Sequence, residues 1–355
     1  MNKQVFKRAK GMVFPRNVIA GHGVITEVPE VCRDFDLHGQ GMIIAGPETL
    51  RVAGNHVKDL MEDAGFEVQC HQTGGATFKN LDPLLEHAQE IDANFLLAVG
   101  GGSKIDLCKM AAKELGKPFI SIPTSAAHDG IASGRASMKG DLGPKSVDAV
   151  VPMAIIADSA VIVKSPYRLL ASGCADVISN STALMDWEFA RRLRNVEFSR
   201  SAFALAEYSA QTIIDNAEFI RPSFEESVWI AIRPIIISGV AMSVAGSSRP
   251  TSGAEHMFSH ALDILYPNES LHGEQCGVGS IMMMYLHGGD WKRIREALRL
   301  IGAPISAKEL GLKPEHVIHA LTEAHRIRQD RFTILGDNGL TQEAAEQVAT
   351  LTKVI

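Results

Sequence analysis

The chain has 355 residues, of which 46% are hydrophobic and 21% charged, so it can bury a large core and is long enough for two domains. The net charge is −6 and the lysines and arginines form no block, which argues against nucleic acid as a partner. Five widely spaced cysteines without a C-x-x-C pair indicate neither a disulfide framework nor a zinc ribbon, and they favour the reducing cytoplasm.

Short apolar runs alternate with longer helical patterns between residues 41 and 123. The longer patterns predict helices over residues 49–64, 81–91 and 104–115. The apolar runs predict strands at Gly41–Ala45, Phe66–Cys70, Asn94–Val99 and Pro118–Ile122, with a further one at Met153–Ala157. Because parallel strands need crossover connections, this alternation predicts a Rossmann-like parallel sheet with helices on both faces.

The pattern changes near Ser165-Pro166, which follows the last predicted strand. Beyond it every long pattern is helical, and no strand is predicted. The predicted helices are Ala171–Arg194, Ser199–Phe219, Phe224–Val244, Gly253–Leu265, Gly277–His287 and Trp291–Ile301. The predicted fold class is therefore α/β plus all-α, with an α/β domain over residues 1–164 and a helical domain over residues 165–355.

Two segments have to be weighed as possible membrane segments. The basic opening of the chain does not continue into the apolar stretch that a secretory signal needs. The longest apolar window, residues 229–246, carries Arg233 and Pro234 near its start, so a buried core helix is predicted rather than a membrane span. We therefore expect a cytoplasmic protein that does not insert into a membrane.

A glycine-rich loop, Gly100-Gly101-Gly102-Ser103-Lys104, follows one predicted strand and opens the next predicted helix. Glycines let the backbone approach a pyrophosphate, and the amide groups that open a helix favour an anion, so the loop predicts a dinucleotide site. It matches neither G-x-G-x-x-G nor the P-loop pattern, and a simple tight turn is the alternative. A second loop, Pro123–Gly130, follows the next strand and is predicted to lie beside the first.

Four residues of the helical half are candidates for a metal site. His256 and His260 are four residues apart, which places both on one face of a helix. Asp176 lies in an apolar helical stretch, where a carboxylate is costly to bury without a cation or donors. His272 precedes a Gly/Met-rich helix. Any one of these histidines alone is more often merely buried, but one carboxylate with two imidazoles forms a catalytic metal site with open positions.

Together these motifs resemble the superfamily of glycerol dehydrogenases, iron-containing alcohol dehydrogenases and dehydroquinate synthases. The triple-glycine loop, the Pro-Thr-Ser loop, the helical aspartate and the histidine pair followed by His-Gly-Glu carry the resemblance. Residues 128–133 (HDGIAS), residues 175–180 (ADVISN) and Asp186-Trp187 are similar to the archaeal sn-glycerol-1-phosphate dehydrogenase family. The resemblance extends from residue 14 to residue 335 and implies a dehydroquinate synthase-like fold.

This resemblance also implies roles for individual residues. The positions it implies for NAD or NADP are Gly100, Gly101, Gly102, Ser103, Lys104, Thr124, Ser125, Ala126, Ala127 and Ser133. Asp176, His256 and His272 match the ligands of one Zn²⁺ per subunit, although the same set suits Fe²⁺ or Ni²⁺. The positions it implies for substrate are Asp129, Asp176 and His260, so the catalytic set is Asp176, His256, His260 and His272. Ala127 replaces the serine that is usual in this family, which leaves only a backbone contact there.

The implied reaction is the NAD(P)H-dependent reduction of dihydroxyacetone phosphate to sn-glycerol 1-phosphate, the backbone of archaeal membrane phospholipids. On this hypothesis zinc polarises the ketone as hydride leaves the nicotinamide, and His260 orients substrate or relays a proton. Asp129 could hold a substrate hydroxyl or simply form a turn. Asn180, Arg135 and Arg331 are candidates for the substrate phosphate, with none preferred. Relatives in this superfamily commonly form homo-oligomers.

Three alternatives stay open at this stage. The first is a glycerol or simple alcohol dehydrogenase of the same superfamily. The second is a carbon–oxygen lyase of the dehydroquinate synthase kind, which uses its cofactor only transiently. The third is a non-catalytic phosphometabolite-binding or metal-binding protein. The choice between NADH and NADPH also stays open, because the strand Gly41–Gly46 ends in Pro47-Glu48-Thr49, without a clear acidic residue at the usual ribose-reading place.

Overall fold

A computed structural model of the chain describes residues 11–140 and 143–355. The strands are β1 (Asn17–Gly21), β2 (Gln40–Ala45), β3 (Glu67–Gln72), β4 (Phe95–Gly100), β5 (Phe119–Pro123), β6 (Arg135–Gly140), β7 (Gly143–Asp148) and β8 (Ala154–Asp158). The α-helices of the first half are α1 (Val28–Asp34), α2 (Pro47–Thr49), α3 (Asn55–Asp63), α4 (Phe78–Glu90), α5 (Gly102–Leu115) and α6 (Ser159–Ile162). The helices that follow are α7 (Tyr167–Arg194), α8 (Arg200–Asp215), α9 (Glu225–Ala245), α10 (Ala254–Leu265), α11 (His272–Leu286), α12 (Trp291–Ile301), α13 (Pro314–Glu323) and α14 (Gln342–Leu351).

Six parallel strands form the main sheet, in the order β1-β8-β5-β4-β2-β3. Every residue of β4 is buried, because alternate side chains enter two separate apolar cores. Leu96 belongs to the core on one face and Leu97 to the core on the other. This explains why β4 reads as an uninterrupted apolar run, and it confirms the predicted parallel sheet.

Two parts of the sheet structure were not predicted. The edge strand β1 pairs in parallel with β8, and β6 pairs with β7 as a separate antiparallel hairpin. Neither segment has the apolar run that indicates a buried strand: β1 is only partly buried, and β6 reads Arg-Ala-Ser-Met-Lys-Gly. Pairing with a partner elsewhere in the chain, rather than local hydrophobicity, makes these segments strands.

Helices account for the regular structure from Tyr167 onward, and no described residue after β8 lies in a strand, as predicted. Three predicted boundaries were wrong by four or more residues, and the first is the start of α7, which lies at Tyr167 instead of Ala171. Helix α11 begins at His272 instead of Gly277, because Glu274 accepts the Leu271 N–H at 2.8 Å and caps the first turn. Helix α8 ends at Asp215, and a short 3₁₀ turn follows it. The change from sheet to helices falls between α6 and α7, close to the proposed domain boundary at residue 164.

Helix α9 corresponds to the longest apolar window of the sequence. It is long and apolar enough to cross a membrane, with a mean hydropathy of 1.9, but 67% of that window is buried inside the protein. A buried core helix of a globular protein can be equally long and apolar, so α9 is only weak evidence for a membrane-spanning segment. Its Ile232, Ile235 and Ile236 belong to the main apolar core.

Candidate active site

A cleft of about 960 Å³ separates the hairpin and strand-end loops on one side from helices α7, α10 and α11 on the other. This volume is within the range of small-molecule and cofactor sites. The predicted site residues that line it are Ser103, Ala127, Asp129, Ser133, Asp176, His256, His260 and His272. Thr124, Ser125 and Ala126 are buried in the loop that forms one wall. The cleft therefore brings the loops predicted for the cofactor next to the residues predicted for the metal.

The two loops predicted to hold the cofactor lie side by side at the carboxyl ends of β4 and β5. Gly100 ends β4, Gly101 is the extended residue before α5, and Gly102 begins the helix. The Thr124 N–H donates to the Gly100 carbonyl at 3.1 Å, which joins the loops directly. In a parallel sheet of this kind, ligands bind beyond these strand ends. The arrangement suits a dinucleotide whose phosphates face the start of α5.

His128 lies against the glycine loop and was not singled out from the sequence. Its Nδ1 accepts the Gly130 N–H at 2.9 Å, and a Cβ at Gly102 would be only 1.7 Å from its Nε2. A side chain at Gly102 would therefore displace the His128 imidazole from this position. The only signal for this role in the sequence is the position of His128 directly before Asp129.

Asp176, His256 and His272 converge at the helical wall of the cleft. Asp176 Oδ1 lies 3.7 Å from His256 Nε2 and 3.9 Å from His272 Nε2. The ligand atoms of these residues and of Cys276 all lie within 4.8 Å of one another. A carboxylate and two imidazole nitrogens in such a group are a donor set that Zn²⁺, Fe²⁺ or Ni²⁺ accepts.

The outer nitrogens of both imidazoles are engaged by neighbouring side chains. His256 Nδ1 lies 3.0 Å from the buried carboxylate of Glu255. His272 Nδ1 lies 3.1 Å from Ser259 Oγ, which itself donates to Gln275 Oε1 at 2.6 Å. Because the Ser259 proton is committed to Gln275, the hydrogen bond with His272 requires Nδ1 to be the donor. Each ring therefore has its Nδ1 engaged and its Nε2 facing Asp176, and Nε2 is the nitrogen that would bind a cation.

Cys276 is a member of this cluster that the sequence analysis missed. Its Sγ lies 3.6 Å from His272 Nε2, and the residue is fully buried. The spacing of four residues between His272 and Cys276, one turn apart on α11, is the signal that could have revealed it.

His260 lies on the same face of α10 as His256, as the spacing predicted, and stacks on the His272 ring with centroids 5.6 Å apart. It lines the cleft, and its Nδ1 has no hydrogen-bond partner in the described part of the chain. Burial, reinforced by the neighbouring imidazoles, holds the pKa of His260 well below its usual range. A neutral imidazole therefore faces the cleft, beside the cluster of Asp176, His256 and His272.

Asp129 connects the second loop to the helical wall. Its N–H donates to Asp176 Oδ2 at 3.1 Å, and its carboxylate accepts from Ser238 of α9 at 2.8 Å. Burial and the nearby Asp176 raise the pKa of Asp129 to about 7. The sequence left two roles open for Asp129, and the residue does form a short 3₁₀ turn while also lining the cleft.

The close approach of the loop to α7 depends on Gly173. A Cβ at this position would lie 1.9 Å from the Ala126 carbonyl oxygen. Helix α7 can therefore pass directly under the second loop, which places Asp176, one turn later, beside Asp129. The small residue is what lets one helix reach both the loop and the histidines of α10 and α11.

The residues considered for a substrate phosphate are in different environments. Asn180 is fully buried and donates to Ser238 Oγ at 2.9 Å, so it lies behind the cleft wall. Arg135 lines the cleft but is paired with Asp148. Arg331 is buried beside the loop between α9 and α10 and donates to Ser248 Oγ at 2.9 Å.

Comparison with known proteins shows that the chain shares its fold with solved dehydrogenase structures. Residues 19–166 match the family model described as iron-containing alcohol dehydrogenase. The fold resembles glycerol dehydrogenase from Schizosaccharomyces pombe, with a TM-score of 0.79 and 19% identity over 98% of this chain and 92% of that one. A probable glycerol dehydrogenase from Sinorhizobium meliloti gives a TM-score of 0.77 and 18% identity over 97% and 98%. At these identities the likeness is one of fold, and it confirms the predicted architecture.

Curated relatives are similar over nearly their whole length. A glycerol-1-phosphate dehydrogenase [NAD(P)+] from Methanosarcina mazei is 54% identical over 98% of this chain and 97% of its own. The enzyme of the same name from Methanothermobacter thermautotrophicus is 50% identical over 96% and 98%. The one from Haloarcula marismortui is 48% identical over 99% and 100%. Since identity at this level extends through both the sheet and the helices, the chain belongs to the glycerol-1-phosphate dehydrogenase family.

Proposed function

We propose that this protein reduces dihydroxyacetone phosphate to sn-glycerol 1-phosphate with NADH or NADPH. In this reaction the ketone carbon would take up a hydride, which NADH or NADPH supplies on oxidation to NAD(P)+, and the ketone oxygen would take up a proton. The observation that carries the proposal is the convergence of Asp176, His256 and His272 in a cleft whose opposite wall is formed by the strand-end loops. The names of the relatives, 54% to 48% identical to this chain, support the choice of substrate.

Asp176, His256 and His272 would hold one divalent ion, proposed to be Zn²⁺, and the same donors suit Fe²⁺ or Ni²⁺. The fit rests on the hydrogen bonds that the Nδ1 atoms of His256 and His272 make with neighbouring side chains. These bonds orient Nε2 of each ring toward Asp176. Such an ion supplies a Lewis acid for the carbonyl oxygen, as the bound nicotinamide supplies the hydride. The other proposed roles, which are to position the cofactor and the substrate, belong to residues of the cleft and its loops.

The loop residues are proposed to position the cofactor, and the helical residues to position the substrate. Gly100 to Lys104, Thr124 to Ala127 and Ser133 would hold the dinucleotide at the strand ends. Asp129, anchored by Ser238, would orient a substrate hydroxyl, and His260 would orient the triose or relay a proton at the new hydroxyl. These proposed placements are supported by the cleft, which is lined by Ser103, Ala127, Ser133, Asp129 and His260.

The decisive assay compares oxidation of NADPH and NADH with dihydroxyacetone phosphate and with dihydroxyacetone. We expect a strong preference for the phosphorylated triose and sn-glycerol 1-phosphate as product. Equal rates with both substrates would favour a glycerol or simple alcohol dehydrogenase. Substrate turnover without net oxidation of the cofactor would favour the lyase alternative.

The metal assignment has its own test. Elemental analysis of protein purified without added metal should give about one divalent ion per chain. His256→Ala should lose both the ion and turnover, because it removes one of the three proposed ligands. His38→Ala, a change at an exposed histidine, is the control and should retain both. Retention of activity in His256→Ala would overturn the ligand assignment.

The proposal extends to the localisation, the oligomeric state and the domain division of the protein. We propose a cytoplasmic enzyme that forms a homo-oligomer, as the family resemblance implies, with an α/β domain over residues 1–164 and a helical domain over residues 165–355. Light scattering on the purified protein tests the assembly, and a monomer at micromolar concentration would contradict it.

A further inference from the structure

The loop between α9 and α10 forms a polar wall of the cleft beside the histidines. Ser248, Thr251 and Ser252 of this loop line the cleft, together with Arg328 from the segment that follows α13. The loop leads directly into α10, which carries His256 and His260. Any group bound at this wall would therefore lie next to the metal-ligand cluster and on the helical side of the cleft, opposite the strand-end loops.

Arg331 lies behind this wall and is the best-buried cation in the vicinity, with 7% of its surface exposed. It donates from Nη2 to Ser248 Oγ at 2.9 Å and from Nη1 to the Ser252 carbonyl. Its Nε has no hydrogen-bond partner in the described part of the chain. Both of its partners are neutral, so the described residues leave a buried guanidinium without a paired carboxylate, which is costly unless an anion is bound nearby.

Two further arginines add to the positive charge. Arg328 is 30% exposed at its side chain and is paired with Asp330 at 3.1 Å. Arg249 has no hydrogen-bond or ion-pair partner among residues 11–140 and 143–355. Burial, together with the repulsion that Arg331 experiences from Arg328 and Arg249, lowers the pKa of Arg331 to about 9.

The other nearby carboxylates are already committed. Asp186 accepts from His287 at 3.0 Å and from the Ile334 and Ala254 N–H groups at 2.6 and 2.7 Å. Glu255 accepts from Thr182 at 2.8 Å and lies against His256. Of these three arginines Arg328 lines the cleft, while Arg249 and Arg331 lie behind its wall and add positive charge to it from there.

Resting on the proposed function, we infer that Arg328, Ser248 and Thr251 bind the phosphate group of the triose substrate. Arg331 is a positioning residue, which holds Ser248 and the Ser252 carbonyl and contributes buried positive charge. A phosphate dianion accepts several hydrogen bonds, and a guanidinium with flanking hydroxyl groups matches that demand. In a triose phosphate the phosphate is separated from the carbonyl carbon by one methylene and one ester oxygen. Its subsite must therefore adjoin the residues that receive the carbonyl, as this wall does.

The first test uses substrate pairs. Arg328→Ala and Thr251→Val should each lower the ratio of kcat/KM for dihydroxyacetone phosphate to that for dihydroxyacetone. The expected fall is about 10- to 100-fold for Arg328→Ala, the usual effect of removing a hydrogen bond to a charged group. The KM for NADPH should stay within about twofold, since the cofactor loops are elsewhere. Arg299→Ala removes an exposed arginine paired with Glu296 on α12 and should leave the ratio at its wild-type value.

The second test uses inorganic phosphate as the probe. Phosphate should inhibit wild-type enzyme competitively against dihydroxyacetone phosphate and not against NADPH, and Arg328→Ala should weaken this inhibition at least about tenfold. Arg331→Lys keeps the positive charge but loses the planar guanidinium that donates to two partners at once. It should therefore also lower the ratio of kcat/KM for dihydroxyacetone phosphate to that for dihydroxyacetone. If Arg331→Lys fails to fold, the partly exposed Arg328 still decides the question.

The outcomes separate this inference from the proposed function. If wild-type enzyme turns over both trioses equally, the proposed function is wrong. If it prefers the phosphorylated triose but Arg328→Ala and Thr251→Val keep the full preference, the function stands and the subsite is wrong. Inhibition by phosphate that competes with NADPH instead would place the anion site at the cofactor loops and would also overturn the inference.

Discussion

The Nδ1 atom of His256 lies 3.0 Å from Oε1 of Glu255, the residue that precedes it in the chain. Glu255 is fully buried and also accepts from Thr182 Oγ1 at 2.8 Å and from the Gly253 N–H at 2.5 Å. Burial acts to raise the pKa of Glu255, but His256 and the Gly253 N–H outweigh it and hold that pKa below its usual range. An ionised carboxylate thus fixes the imidazole with Nε2 toward Asp176.

Glu255→Gln should weaken metal binding by about 10- to 100-fold, because partners of this kind orient a ligating imidazole and raise its basicity. Competition against a chelator of known affinity measures the change. Glu346→Gln, on the exposed side of α14, is the matched control and should bind metal as the wild type does. An unchanged affinity in Glu255→Gln would mean that the imidazole needs no such support.

Gly173→Ala should destabilise the protein by about 1–3 kcal/mol, since the added methyl group meets the backbone of the second loop. The clash is with the Ala126 carbonyl oxygen at 1.9 Å, which no side-chain rotation relieves. The same shift should raise the KM for NADPH. Thermal unfolding and cofactor titration measure both effects. Gly140→Ala, where no atom of the described residues lies within 4 Å of the new Cβ, should change neither.

Lys109→Met should be strongly destabilising. The Lys109 ammonium group is fully buried, pairs with Asp106 Oδ1 at 2.9 Å and donates to the Gly130 carbonyl and, at 2.6 Å, to the Arg135 carbonyl. Removing it leaves a buried carboxylate without its cation, at a cost of about 3–5 kcal/mol by urea unfolding.

The matched double variant Asp106→Asn/Lys109→Met should recover part of this loss. The amide oxygen of asparagine can still accept the Ser137 N–H, which Asp106 Oδ2 accepts at 3.0 Å, and it carries no charge. A double variant less stable than Lys109→Met alone would contradict the view that the unpaired charge is what destabilises the single variant.

Glu225 should give a pH-dependent contribution to stability. It accepts from Ser159 Oγ at 2.5 Å and lies 2.9 Å from His22 Nδ1, and these contacts lower its pKa from 4.5. Because the pKa of Glu225 is lower in the folded protein than its usual 4.5, the ionised carboxylate stabilises the fold above pH 4.5. This contribution is lost as the pH falls through the folded-state pKa of Glu225. Glu225→Gln should cost up to about 1 kcal/mol near neutral pH, as the site is partly exposed. Urea unfolding well below pH 4.5 should show no difference.

Much of the fold could be predicted from local pattern alone. The strands from β2 to β5, strand β8 and most helices from α7 to α12 lie within a few residues of their predicted positions. Buried parallel strands and amphipathic helices carry their periodicity within each element, so a short window is sufficient to detect them. The glycine loop and the histidine pair could likewise be placed at a strand end and on a helix face.

Other elements depend on partners far away in the chain. Strand β1 is a strand because Asn17–Gly21 pairs with Ala154–Asp158, and its own composition does not predict this. His128 owes its place to the space left by Gly102, and Cys276 enters the cluster because α11 starts early enough to carry both His272 and Cys276 on one face. None of these follows from a pattern within one segment.

The sequence by itself determined the class of fold, the order of the motifs and the residue types available for metal and cofactor, because these depend on periodicity and chemistry along the chain. Only the tertiary structure decided which residues meet. It placed Asp176 within 4 Å of His256 and His272 and left Arg331 buried among neutral partners. Such contacts arise from the packing of α7, α10 and α11 against one another, which is a property of the whole core and not of any one segment.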